Sequence, residues 1–192
     1  MSPDGRRVAV RGTEAGKSDI WIHDTAQATK TRLTSESGSN MQPIWTQDGR
    51  EIVYSSTANV GRVVARPADG SGKARPLIDE PVAQYEADLS KDGRFLVFVA
   101  VDAIRGIYRD VWYMDLLKGG KPTPFLESSF DELNPSLSVD SRYVAYVSNE
   151  TGTYEVYVRP FPKGAGKWKV SDNGGVQPRW GRGGKTLYYV RG

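Results

Sequence analysis

Short runs of apolar residues recur along the chain, and polar turn residues separate them. The clearest case is residues 43–54, where Ile44 and Trp45 lie on one side of Asp48-Gly49 and residues 52–54 lie on the other. β-branched and aromatic residues suit a pleated, half-buried strand, and Asp-Gly supplies the positive φ angle that a short hairpin turn requires. The pattern therefore predicts a β-hairpin.

The same hairpin pattern occurs five times, at residues 2–10, 43–54, 87–98, 135–146 and 178–189. Its turn recurs at intervals of 44, 44, 48 and 43 positions, at Asp4, Asp48, Asp92, Asp140 and Gly183. A repeat period in the low forties is typical of the blades of a β-propeller.

Two further strand patterns follow each hairpin at fixed offsets. The third strands are predicted at residues 19–24, 62–66, 110–115 and 155–159, and the fourth strands at residues 31–34, 75–78, 123–126 and 168–171. A polar loop is predicted at residues 12–17, and no helical periodicity is sustained. The chain is therefore predicted to be all-β, a β-propeller of four-stranded antiparallel blades with about four blade equivalents.

The repeats predict a single propeller domain over residues 1–192. Its parts are an incomplete blade at 1–35, blades at 40–78, 85–126 and 133–171, and an incomplete blade at 176–192. Both terminal parts contain a second strand, so they cannot share one four-stranded blade. We expect an open partial propeller, which would self-associate through its unpaired blade edges.

The repeated sequence Pro-x-(Trp/Leu)-(Ser/Thr)-x-Asp-Gly-(Arg/Lys) resembles the TolB-like, WD-repeat-like β-propeller family over essentially the whole chain. Three segments, 157–162, 167–171 and 177–180, are most similar to the propeller tails of bacterial serine/threonine kinases. Family members include periplasmic TolB-type proteins and the propellers of prolyl-oligopeptidase-type peptidases. The resemblance implies a bacterial protein, extracytoplasmic if the parent protein is exported or anchored in a membrane.

Composition excludes several classes of partner. The chain has no cysteine, no apolar run of 18 residues and no signal-peptide pattern, so we expect neither disulfides nor membrane insertion. The net charge is +3, and the bases are concentrated from residue 159 onward. Because no recognition helix or RNA-binding strand motif accompanies them, we expect solvated loops and no nucleic-acid partner.

Catalytic motifs are missing from the sequence. The one histidine, His23, lies in a predicted strand, and no Gly-x-Ser-x-Gly, phosphate-binding or dinucleotide-binding motif occurs. The carboxylates at 79–80 and 131–132 lack the spacing of a calcium loop and are interpreted as solvated loop charges. We therefore expect no enzyme activity, no cofactor and no metal in this chain, although a parent protein can be an enzyme.

The larger aromatic residues recur at the repeat period and are interpreted as core between blades. They are Trp21, Trp45, Trp112, Trp180, Tyr188 and Tyr189.

Two features suggest a binding site. The first is a polar residue next to the motif proline, or its equivalent, in each first strand: Gln42, Glu86, Asn134 and Gln177. These positions should converge at the mouth of the propeller channel, where propellers bind ligands. The alternative is that they only hydrate the channel.

The second feature is an insertion between the second and third strands of the third repeat. Phe98 and Trp112 are 14 positions apart, whereas the equivalent pairs in the first and fourth repeats are 11 apart. The insertion carries Ile104, Arg105, Ile107 and Tyr108. Apolar residues in an insertion on one face of a repeat array indicate a binding face. Alternatively, these residues fold back onto the blade.

Together these patterns predict a non-catalytic module that binds or scaffolds protein or peptide, as part of a larger protein such as a bacterial serine/threonine kinase. The alternative is the substrate-gating propeller of a prolyl-oligopeptidase-type serine peptidase whose catalytic domain lies outside this chain.

Overall fold

A computed structural model describes residues 1–58, 61–80, 82–101 and 109–191. Those residues contain strands and turns but no helix. The strands of the first two sheets are β1 (Arg7–Glu14), β2 (Lys17–Asp24), β3 (Thr29–Arg32), β4 (Asn40–Trp45), β5 (Glu51–Ser56), β6 (Arg62–Pro67) and β7 (Arg75–Pro76). The remaining strands are β8 (Ala83–Leu89), β9 (Phe95–Val101), β10 (Arg109–Asp115), β11 (Thr123–Pro124), β12 (Glu132–Leu137), β13 (Tyr143–Ser148), β14 (Glu155–Pro160), β15 (Trp168–Lys169), β16 (Val176–Trp180) and β17 (Leu187–Val190).

Neighbours in sequence are neighbours in each sheet. The first sheet has the order β1-β2-β3, and the last consists of β16 and β17. Along the chain between these two sheets, the strands form three four-stranded sheets, β4-β5-β6-β7, β8-β9-β10-β11 and β12-β13-β14-β15. The all-β prediction and the four-stranded antiparallel repeat are confirmed. Pro76 and Pro124 lie in outermost strands, where a missing N–H is tolerated.

The chain divides into two compact units, Met1–Tyr85 and Glu86–Gly192. In the first unit, buried residues of the first two sheets form one core that includes Ile20, Trp45 and Tyr54. In the second unit, a core that includes Val111 and Tyr146 joins the third and fourth sheets. Within each unit, adjacent sheets are thus held together by apolar side chains.

Phe161 is the centre of an aromatic cluster in the second unit. Its ring lies 5.2 Å from the rings of Phe95 and Tyr113 and 5.4 Å from that of Phe125, in edge-on geometry. Edge-on pairs of this kind add to the apolar burial. The aromatic-core prediction holds for Trp45, which is buried, but is wrong for Tyr188 and Tyr189, which are 65% and 37% exposed.

The hairpin turns contain a recurring hydrogen-bond network. In the turn after β4, the Thr46 hydroxyl donates to Asp48 over 2.7 Å and accepts the Glu51 N–H over 3.1 Å. The Asp48 carboxylate also accepts the Arg50 N–H over 3.0 Å. The same hydroxyl–carboxylate pair occurs at Ser2–Asp4, Ser90–Asp92 and Ser138–Asp140. These bonds explain why the repeat requires Ser or Thr two positions before Asp.

The loop predicted at residues 12–17 is instead a long hairpin. Strands β1 and β2 pair as far as Glu14 and Lys17, which leaves only Ala15 and Gly16 in the turn. Their φ angles are 49° and 77°. Two successive positive φ values define the tight turn whose twist matches that of paired strands, so the polar residues on either side continue the strands.

Candidate functional site

The four polar residues predicted next to the motif proline occupy the same place in four sheets. Each lies in the first strand of its sheet with a left-handed backbone. The φ angles are 54° for Gln42, 48° for Glu86, 47° for Asn134 and 54° for Gln177. Non-glycine residues rarely adopt this conformation, and four equivalent instances show that the repeat imposes it.

In three of the four sheets, this conformation occurs at a β-bulge. In the second sheet, Met41 pairs with Ser55 and Ile44 pairs with Val53, so residues 42 and 43 together face Tyr54. The same register shift occurs between Leu133 and Ser136 in β12 and between Val176 and Arg179 in β16. A bulge bends its strand and changes the direction of one side chain. Here that side chain is the polar one.

In the second unit, these side chains connect successive first strands. Glu86 Oε2 accepts the backbone N–H of Asn134 over 2.7 Å. Asn134 Oδ1 in turn accepts the backbone N–H of Gln177 over 3.3 Å. We call this Glu86–Asn134–Gln177 chain the bulge ladder. It gives each left-handed residue a fixed position relative to the next.

Two further hydrogen bonds join the same first strands. Asp88 Oδ2 accepts the Leu137 N–H over 2.9 Å, and the Trp180 indole N–H donates to the Ser136 carbonyl over 3.1 Å. Loss of hydration raises the pKa of Asp88, against the opposing effects of the Leu137 N–H and the Arg179 charge. The first strands are therefore joined by several polar contacts as well as by apolar packing.

Several polar atoms of the bulge ladder can still form hydrogen bonds. Within the part of the chain that the structure describes, Glu86 Oε1, Asn134 Nδ2 and the Gln177 side-chain amide make no hydrogen bond. Glu86 and Asn134 are half-buried, and Gln177 is exposed. The ladder thus presents both acceptors and donors on a backbone that is already fixed.

The remaining predicted site residues are Gln42 and four residues of the insertion. Gln42 has the same bulge geometry in the first unit. The insertion residues Ile104, Arg105, Ile107 and Tyr108 lie outside the described residues.

Sequence reasoning missed a second recurring polar contact, which joins β2 to the start of β4 in the first unit and β10 to the start of β12 in the second unit. Asp19 Oδ1 accepts from the Thr34 hydroxyl over 2.8 Å and from Asn40 Nδ2 over 3.2 Å. Arg32 donates to the other oxygen of Asp19. Burial alone would raise the pKa of Asp19, but these hydrogen bonds outweigh it and lower that pKa. The Asp19 charge is thus neutralised, by Arg32 and also by Lys17, whose Nζ lies 3.7 Å from Asp19 Oδ2.

The equivalent contact in the second unit brings two acids together, Asp110 and Glu132. The Ser128 hydroxyl donates to Glu132 Oε1 over 2.6 Å. Glu132 is only 4% exposed, and its Oε2 has no hydrogen-bond partner among the described residues. Burial, with a further contribution from the Asp110 charge and against the Ser128 bond, raises the pKa of Glu132 to about 7. The interpretation of residues 131–132 as solvated loop charges is therefore wrong for Glu132.

Asp131, the neighbour of Glu132, also makes polar contacts. Its carboxylate lies 3.6 Å from Arg109 Nε and accepts the Tyr154 hydroxyl over 3.0 Å.

Among the described residues, no group of three or more His, Cys, Asp or Glu side chains could hold a metal ion. Those residues also include no helix that could cross a lipid bilayer.

Repeated four-stranded antiparallel sheets and their first-strand bulges define a β-propeller repeat protein. The family described as "TolB beta propeller domain" matches residues 1–132, which is more than half of the chain. The chain belongs to this family, as the repeated Asp-Gly turn predicted.

Similar proteins agree with this assignment. The chain is 20% identical over 156 residues to the Tol-Pal system protein TolB of Helicobacter pylori strain J99, covering 80% of this chain and 37% of that protein. The crystal structure of TolB from Acinetobacter baumannii has a TM-score of 0.73 at 22% identity, covering 83% of this chain and 39% of that one. The chain thus spans well under half the length of these TolB proteins.

A likeness to an enzyme also exists at the level of the fold. The structure of a puromycin-hydrolyzing peptidase of Mycobacterium tuberculosis has a TM-score of 0.68 at 18% identity, covering 92% of this chain and 33% of that chain. At this identity the likeness shows the shared fold alone.

Proposed function

We propose that this chain is a non-catalytic β-propeller module that binds protein or peptide at its first strands, through the bulge ladder. The observation that carries the proposal is the partly used hydrogen-bonding capacity of Glu86, Asn134 and Gln177, all three of which have a left-handed backbone.

Rigidity is the first argument. A side chain that already makes one hydrogen bond to a neighbouring strand loses little further freedom when a ligand binds. Glu86 and Asn134 meet this condition, because each is held by a backbone N–H of the next first strand. The binding groups are thus arranged before the ligand arrives.

Chemical complementarity is the second argument. Peptide backbones and polar side chains present donors and acceptors close together. The free groups of the ladder are a carboxylate oxygen on Glu86, an amide N–H₂ on Asn134 and a complete amide on Gln177. Such a mixed set can satisfy a peptide segment, with the Glu86 charge favouring donors.

The module is proposed to belong to a longer protein such as a bacterial serine/threonine kinase. Support comes from residues 157–162 and 167–171, which are similar to kinase-associated propellers. Sequencing the gene on both sides of this segment tests the context. An adjoining kinase domain would support it, whereas a serine-hydrolase domain would contradict it.

The second candidate is the substrate-gating propeller of a serine peptidase of the prolyl-oligopeptidase type. The likeness to the mycobacterial peptidase favours this candidate. In that case the same first strands would face a catalytic domain outside this chain, and peptides would pass the bulge ladder on their way to it.

The binding proposal can be tested with a phage-displayed library of random peptides selected on the whole chain. Affinities of recovered peptides are then measured for the parent chain, Glu86→Gln and Gln177→Gly. Gln retains the acceptor for Asn134, and Gly tolerates the positive φ at 177, so both variants should fold. Lys91→Gln, in an exposed turn, is the control.

We expect each ladder variant to weaken binding about tenfold or more, and the control to bind as the parent does. Failure to select any peptide, or peptides that bind all variants equally, would overturn the proposal. The same purified chain should not hydrolyse recovered peptides, and measurable turnover would contradict a non-catalytic role.

A further inference from the structure

A cleft of about 410 Å³ opens on the outer part of the second sheet, within the first unit. Tyr54 of β5 and Val64 of β6 contribute to its lining, together with Pro76 of β7. Arg62 and Asp79 also line it. Its volume is in the range of sites that hold small molecules.

The fourth sheet shows why this cleft is open. Strand pairing aligns Tyr54, Val64 and Pro76 with Tyr146, Tyr157 and Lys169. By the same register, Ala58 and Ala74 correspond to Glu150 and Lys167.

In the fourth sheet this place is filled by an ion pair lying on an aromatic ring. Lys167 Nζ contacts both carboxylate oxygens of Glu150, at 2.6 and 2.7 Å, and lies 5.3 Å from the centre of the Tyr157 ring. The second sheet has two alanines and a valine instead. Truncation of three side chains that would otherwise meet therefore accounts for the cleft.

The charges at the cleft are rearranged as well. In the fourth sheet, Lys169 lies 3.4 Å from both Glu155 and Asp172 and forms an ion pair with each. In the second sheet the lysine is replaced by Pro76, and one of the two acids is replaced by Arg62. The remaining acid corresponds to Asp79.

Arg62 and Asp79 can still form hydrogen bonds and ion pairs, as judged from the described part of the chain. Arg62 Nη1 donates to the Glu80 carbonyl over 2.6 Å, and its other N–H groups make no hydrogen bond to the described residues. Asp79 makes no hydrogen bond or ion pair with the residues that the structure describes. The nearby Glu36 is already neutralised by Arg66, at 2.5 Å. One cation and one anion thus remain at the cleft.

We propose that this cleft binds a small zwitterion of the size of an amino acid or dipeptide. The ligand carboxylate pairs with Arg62 and its ammonium group with Asp79, while its apolar part packs against Val64 and Pro76. Asp79 is exposed, so a ligand with a single charge leaves no buried charge unpaired but forms only one of the two ion pairs, and it therefore binds less well. The site is independent of the bulge ladder and of the proposed function.

The chemical class can be tested by titrating the whole chain with three forms of one dipeptide and measuring affinity by NMR chemical shifts. The zwitterion Ala-Val carries both charges, N-acetyl-Ala-Val carries only the negative one, and Ala-Val-amide carries only the positive one. We expect the zwitterion to bind at least about tenfold more tightly than either blocked form. Equal affinities, or no binding by the zwitterion at 20-fold molar excess and ~10 mM ligand, would overturn the proposal.

The location can be tested with the double variant Ala58→Glu/Ala74→Lys, which copies the ion pair of the fourth sheet into the cleft. We expect zwitterion affinity to fall about tenfold or more with the melting temperature unchanged or higher. Arg75→Lys, whose side chain pairs with Glu51 outside the cleft, is the control and should bind normally. If the double variant unfolds, Arg62→Gln should produce the same loss. Unchanged affinity in a folded variant would refute the location.

Discussion

The backbone N–H of Asn134 donates a 2.7 Å hydrogen bond to Glu86 Oε2, across 48 positions of the sequence. Because the acceptor is a carboxylate, this bond belongs to the stronger class of protein hydrogen bonds. It joins the first strands of the third and fourth sheets at their left-handed residues. The same polar residues that were predicted to face a ligand therefore also hold these strands together.

Replacing Glu86 separates these two roles. Glu86→Ala should lower the free energy of unfolding by about 1–3 kcal/mol, because it leaves the half-buried Asn134 N–H without its acceptor. Glu86→Gln retains an acceptor oxygen and should cost less than about 1 kcal/mol. Both variants keep a non-glycine residue at the left-handed position, so the comparison isolates the hydrogen bond. Urea unfolding measures the difference, and equal losses would mean that the bond contributes nothing.

A turn residue offers a direct test of backbone strain. Ser141 has a φ of 56° where the equivalent positions 49 and 93 have glycine. Ser141→Gly should raise the free energy of unfolding by up to about 1 kcal/mol, because glycine adopts positive φ without steric cost.

The reverse substitution is the matched control. A Cβ at Gly93 would meet no atom within 4 Å, so Gly93→Ser changes only the backbone preference. We expect it to destabilise by a similar amount, measured by thermal unfolding. The explanation fails if both substitutions shift the melting temperature in the same direction.

The acid pair Asp110–Glu132 predicts an unusual dependence of stability on pH. The pKa of Glu132 is raised from 4.5 to about 7 in the folded chain, mainly by burial. The folded state therefore binds the proton more tightly than the unfolded state. Stability from this group is fully present below about pH 4.5 and is lost as the pH rises to about 7, by up to roughly 3 kcal/mol.

Glu132→Gln should remove this loss and reproduce the amide–carboxylate contact of Asn40 with Asp19. At pH 8 the variant should be more stable than the parent by up to roughly 3 kcal/mol, and near pH 4.5 the two should be similar. Urea unfolding across this pH range measures the difference. Asn40→Asp, which creates a second acid pair, should destabilise the chain at pH 8. A pH-independent difference for Glu132→Gln would contradict the account.

The turn hydroxyls should contribute to stability one turn at a time. Ser90 Oγ donates to Asp92 over 2.6 Å and accepts the Phe95 N–H over 2.7 Å. The Ser90 bond is the largest of the effects that lower the pKa of Asp92. Ser90→Ala should cost about 1 kcal/mol and raise the pKa of Asp92, as followed by NMR titration. An unchanged Asp92 pKa would show that the hydroxyl does not hold the carboxylate.

The repeat could be predicted from the sequence because its signals are local. Asp48-Gly49 and the apolar runs beside it specify a hairpin through residues that are close in the chain. The long β1–β2 hairpin was missed because Ala15 takes a positive φ that alanine does not favour, so the turn has only one recognisable residue.

Contacts between sheets were less accessible to sequence reasoning. In the sequence, Glu132 is a polar residue beside a predicted loop. Only its packing near Asp110 and Ser128 shows that it is buried. The polar bulge residues were found from their fixed position in the repeat, but their bonds to the next first strand were not. Those bonds depend on how neighbouring blades pack, which no local pattern encodes.

The central claim is that peptides bind at the bulge ladder, and hydrogen–deuterium exchange with and without a selected peptide tests it most directly. We predict that the bound peptide slows exchange in β8, β12 and β16 around Glu86, Asn134 and Gln177, while the outer strands β11 and β15 exchange at unchanged rates. Protection confined to the outer strands, with no change in the three first strands, would contradict the account.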